Sequence, residues 1–85
     1  MSGSSNPIKR LSELKAGQTG HIVALKDDEE FLRLMEMGFI VGEKVKVLHL
    51  APLGDPMMIH VFGYQVSLRK NEAERILVEC IETNS

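Results

Sequence analysis

One cysteine, Cys80, stands in 85 residues. An internal disulfide is therefore excluded, and so are the paired CxxC ligands of structural zinc sites. Tryptophan is absent and aromatics make up 5% of the chain, which leaves few surfaces on which nucleobases could stack. Basic residues do not outnumber acidic ones, and the formal net charge is -2. The counterion release that drives most nucleic-acid binding is then weak, and nucleic acid is not expected as a partner. Apolar runs stop at four residues, as in Ile22–Leu25, against the roughly 20 that span a bilayer. No membrane-inserted segment is expected. The opening MSGSSNPIKR has no apolar stretch of the kind a secretory leader carries, so a cytoplasmic setting is expected. A Walker A loop and a GxSxG elbow are also missing, and with them two common routes to catalysis.

What is present is enough for one folded unit. The chain is 44% hydrophobic and 26% charged, ordinary usage for a globular domain. Residues 1–6 are rich in Ser and Gly and read as a disordered tail, residues 7–82 as a single domain, and 83–85 as a frayed end. LSEL gives a turn of helix that Gly17 ends, and HIVALK reads as a strand. DDEEFLRLMEMG carries the marks of a helix of about ten residues. Asp27 or Asp28 caps it, Leu34 and Met35 lie on its apolar stripe, and Gly38 stops it. EKVKVLHL alternates as a strand, with Val45 and Val47 on one face.

MMIHVF and YQVSLR flank Gly63 as two arms of a hairpin. A type II′ turn at Gly63-Tyr64 would pair Val61 with Val66 and Ile59 with Leu68. A loop at Phe62-Gly63 keeps the same faces but forces Phe62 to positive φ, and the first reading is preferred. Asn71 is expected to cap a turn that runs into a last strand from Ile76 to Cys80. The sum is a mainly β fold: five short strands closing into a small SH3-like barrel, with one inserted helix and short helical turns.

The stretch APLGDPMMIHVFGYQVSLR concentrates the chemically distinctive residues. His49 and His60 are weak metal candidates, with no HxH or HxxxH spacing to support them. Met57 and Met58 suit a core gap or a partner surface better than a soft metal. Asp55, between Gly54 and Pro56, reads as a turn residue bonding its own backbone. No nucleophile and base fall into a recognisable arrangement, so an enzyme is not expected. The open loop and the side chains around it suggest a protein-interaction surface made of Leu53, Gly54, Asp55, Pro56, Met58 and Phe62. Leu53 is either an exposed anchor at the loop apex or a cap folded back over the barrel end.

Read as one string, LMEMGFIVGEKVKVLHLAPLGDPMMIHVFGYQVSLRKNEAERILV resembles the FeoA family. The shared features are the Leu34–Gly42 segment, the Val45–Val47 strand and the Pro52–Pro56 loop. The Gly63–Arg69 hairpin arm and the Glu72–Ile76 turn complete them. The resemblance implies a small SH3-like, non-catalytic accessory of bacterial ferrous iron uptake. Its implied partner is FeoB, a membrane Fe(II) transporter with a G-protein domain. No cofactor is required on this reading. Fe(II) or adventitious zinc are the only metals in view, and weak self-association is compatible with it. Two alternatives are the SH3-like C-terminal domain of a DtxR-type metal-dependent repressor and a small-barrel RNA-binding module.

Overall fold

In the computed structural model, which describes residues 6–81, the chain opens with a strand that the alternation did not signal, Ile8–Arg10 (β1). The expected disordered tail, apart from Asn6, and the expected frayed end lie outside the described residues. A 3-10 turn at Leu11–Glu13 follows, then Thr19–Leu25 (β2), Phe31–Glu36 (α1) and Lys44–Leu50 (β3). Met57–Val61 (β4), Tyr64–Leu68 (β5), Lys70–Ala73 (α2) and Ile76–Ile81 (β6) complete the order. Six antiparallel strands rather than five thus make one sheet, in the order β1-β6-β2-β3-β4-β5. The extra strand is three exposed residues long. It is held by backbone pairing with β6 and by the Cys80 N–H, which donates to the Pro7 carbonyl at 2.9 Å. Such a strand needs no hydrophobic alternation, and so the sequence shows none.

Bulges bend the sheet where its core-facing strands must curl. The register slips between Ile22 and Ala24 against β6, and between Val47 and His49 against β4. An extra residue at each point sharpens the bend and lets the sheet wrap its own apolar face. That face supplies Ile22, Val45, Val47, Met57, Ile59, Val61, Leu68, Ile76 and Val78, all essentially buried. Leu11, Leu14, Leu34 and Phe39 close the ends of the same core. Strand β2 crosses β6 closely at Gly20, where a Cβ would stand 3.0 Å from the Glu79 carbonyl oxygen and 3.1 Å from Val78 Cβ. Both are parts of the neighbouring strand that cannot swing aside.

Helix α1 is six residues long, not ten. Asp28 does serve the turn that leads into it, since its Oδ1 accepts from the Glu30 N–H at 2.9 Å. Its other oxygen accepts from Arg75 Nε at 2.7 Å, which ties the entry of α1 to the start of β6. At the far end Gly38 takes φ +107°. The Gly38 N–H donates to the Met35 carbonyl and the Phe39 N–H to the Leu34 carbonyl, each at 3.0 Å. These two bonds are a Schellman stop, and they drop Phe39 into the core beside Leu34.

The hairpin turn is Phe62-Gly63, not Gly63-Tyr64. Val61 faces Tyr64, His60 faces Gln65, Ile59 faces Val66, and Met57 faces Leu68. Phe62 and Gly63 both have positive φ, 51° and 83°, as a type I′ turn requires at both central positions. This is the register that the strain on Phe62 argued against. The strand twist favours I′ turns strongly enough to hold an aromatic residue in the left-handed region.

Candidate functional site

The loop after β3 is fixed by its own backbone before any side chain acts. The Gly54 N–H donates to the Ala51 carbonyl at 2.7 Å, and the Ala51 N–H to the Pro56 carbonyl at 3.1 Å. Pro52 and Pro56 restrict φ on either side, and Gly54 supplies φ +85°. Asp55 does not bond its own backbone: its Oδ1 accepts from the Lys70 N–H at 3.0 Å, pinning the loop to the first residue of α2. Leu53 stands at the apex and is 93% exposed. It does not fold back to cap the barrel end.

Below this loop, α2 and α1 are laced together by charge. The Arg69 N–H donates to Glu72 Oε1 at 2.9 Å, so Arg69 rather than Asn71 begins α2. Arg33 reaches from α1 to Glu72 and also meets Glu30 at 2.8 Å. Burial pushes the Glu72 carboxyl up, but the Arg69 N–H and the Arg33 guanidinium together outweigh it and leave it below 4.5. The Arg75 bond, helped by the Glu30 N–H, holds Asp28 below 3.8. Both carboxylates therefore favour the folded state when ionised. That stability is complete above their unfolded values and is lost as pH falls through the folded ones. Thermal melts should be level from pH 7 to about 5 and decline below about 4.5. Glu72→Gln should melt lower at pH 7 and show a shallower acid decline; an unaltered decline would remove Glu72 from this account.

The remaining candidates fall on two other surfaces. Met58 is half-buried in a small cleft of about 100 Å³ that it shares with His49, Pro56 and Ser67. Phe62 lies at a separate groove of about 500 Å³ with Thr19, Lys44, Lys46, His60 and Ile81. The expected shared face of Met58 and Phe62 is thus divided. Phe62 is 59% exposed, and its ring lies 6.5 Å from that of Tyr64, which is 64% exposed. Thr19, Lys46 and His60 form one row across β2, β3 and β4, each opposite the next. Among the described residues, Thr19 carries a buried hydroxyl with no hydrogen-bond partner.

His49 and His60 line different clefts, and no group of three or more His, Cys, Asp or Glu gathers among the described residues. A cation at His60 would also meet Lys44 and Lys46, which repel it. Cys80 is half-buried against the core. No helix among the described residues is long and apolar enough to cross a membrane. The two lysines were absent from the sequence-based candidates, although EKVKV announces them: alternation with the buried Val45 and Val47 turns both outward.

Comparison with known proteins gives these surfaces a context. A family model described as the FeoA domain matches residues 9–80. A Porphyromonas gingivalis protein named as a fusion of Fe(2+) transport protein A and the Fe(2+) transporter FeoB is 42% identical over 77 residues. That match takes in 89% of this chain but only 9% of the relative. A Campylobacter jejuni protein, named as a putative Fe(2+) transport protein A, is 36% identical across 84% of this chain and 97% of its own length. The crystal structure of Stenotrophomonas maltophilia FeoA complexed with zinc, described as a prokaryotic SH3 domain protein, superposes with a TM-score of 0.71 at 32% identity. It covers 80% of this chain and 86% of the other.

Proposed function

We propose, from the premise that this chain belongs to the FeoA domain family, that it is a non-catalytic accessory module of bacterial ferrous iron uptake. In this reading it binds the cytosolic part of an FeoB-type transporter. The observation that carries the reading is the Porphyromonas gingivalis relative, which joins the two functions in one polypeptide. A tether makes the encounter of linked modules intramolecular and raises their effective concentration, which favours contact between them. Fe(II) is then the transporter's cargo, and the module needs no cofactor of its own.

The loop geometry suits this role. Leu53 is an apolar side chain held clear of the core on a segment tied at Ala51, Pro56 and Lys70. A pre-ordered anchor loses little freedom on binding, so more of its contact energy appears as affinity. Gly54, Asp55 and Pro56 shape the loop, and Met58 lies in the adjoining cleft with Pro56. Leu53→Ser should weaken association with purified FeoB-type transporter by about 1–4 kcal/mol, the range for loss of an interface anchor. Its melting temperature should stay within about 2 °C of the parent, because the side chain supports no core packing. If the parent protein shows no association in any nucleotide state, in detergent or in bilayers, the partner is wrong.

A further inference from the structure

We infer that the groove across β2, β3 and β4 is a binding site for an acidic, extended peptide segment that carries an apolar side chain. The charge on its walls makes the first argument. Lys44 and Lys46 line it beside His60, and among the described residues no carboxylate does, although the full sequence carries a formal net charge of -2. Positive potential is thus concentrated where the surface is concave, the arrangement that attracts and orients a negative ligand. Lys44 and Lys46 are alternate residues of one strand, so their stems rise roughly 7 Å apart. Alternate carboxylates of an extended peptide have the same spacing.

Phe62 makes the second argument. Among the described residues it is the one non-glycine residue with positive φ, and it is 59% exposed. The ring therefore contributes little to the core, while the backbone beneath it would be better served by Asn or Gly. Strain of this kind persists where the side chain has another use. With Ile81 it gives the groove an apolar wall beside the two ammonium groups. A volume of about 500 Å³ is within the range of ordinary ligand sites.

The inference concerns this groove alone and stands whether or not the Leu53 loop meets a transporter. The test titrates the isotope-labelled full chain with the acetylated peptide GESESFG, following backbone amide shifts. The neutral GQSQSFG and the reversed GKSKSFG serve as controls. GESESFG should move the amides of Thr19, Lys44–Lys46 and His60–Gly63, with an affinity that falls several-fold on raising salt from 50 to 300 mM. The pair Lys44→Glu and Lys46→Glu should lose GESESFG at least tenfold and gain GKSKSFG. Phe62→Asn should lose affinity while melting no lower than the parent, since Asn-Gly suits the turn; loss of binding is then not loss of fold. Equal affinity for the three peptides would overturn the proposal. So would shifts confined to residues 51–56, or no shifts at millimolar GESESFG.

Discussion

Phe39→Ala is expected to cost about 3–5 kcal/mol, the range for removing a buried aromatic side chain. A domain of this length has roughly 4–12 kcal/mol in total, so the loss removes from about a quarter of its stability to all of it. Phe39 is fully buried and heads the large side chains of the core. Its place is also fixed by the backbone: the Phe39 N–H bonds the Leu34 carbonyl just past Gly38, and both side chains join the same cluster. Truncation therefore removes a core side chain and the hydrophobic contact that accompanies the helix stop. Urea unfolding should show the midpoint collapse, whereas Leu32→Ala, at a position 69% exposed, should leave it nearly unchanged. A Phe39→Ala protein that melts within about 5 °C of the parent would show the core packs otherwise.

The fold was legible wherever one face of an element is buried and the other wet. The alternation of Val45 and Val47, of Ile59 and Val61, and of Val66 and Leu68 assigned the inward faces, and the structure keeps these as buried or half-buried positions. Gly38 announced a helix stop for a backbone reason that survives any tertiary context. What escaped the reading lacks a periodic signature. Strand β1 is exposed along its whole length. The turn ahead of α1 is held by Asp28, whose carboxylate Arg75 meets from 47 residues away, and no local pattern shows that bond. The turn escapes a local argument because the strain on Phe62 is overridden by the twist of the flanking strands. Among the candidate residues, Leu53 is placed by the sequence at the loop apex but left between an exposed anchor and a folded-back cap, and only its 93% exposure separates the two. The company that Phe62 keeps could not be foreseen, because Thr19, Lys46 and His60 become a row only through pairings across three strands.

Ile59→Ala and Leu68→Ala should each lose about 2–5 kcal/mol, since both side chains are fully buried. Gln65→Ala, on the outward face, should stay within about 0.5 kcal/mol. Either turn predicts these single effects, because both keep the same residues inside. Coupling separates them. With Phe62-Gly63 as the turn, Ile59 stands directly opposite Val66, and Leu68 opposite Met57. Directly opposed residues have Cβ atoms about 5 Å apart, while diagonal neighbours are about 7–8 Å apart. A turn at Gly63-Tyr64 would instead oppose Ile59 and Leu68. Two double-mutant cycles on folding free energy therefore report the register in solution. The Ile59–Val66 cycle should give an interaction of at least about 0.5 kcal/mol, and the Ile59–Leu68 cycle a smaller one. The reverse order would mean that Phe62 is released from the left-handed region, and the hairpin argument for the groove would go with it.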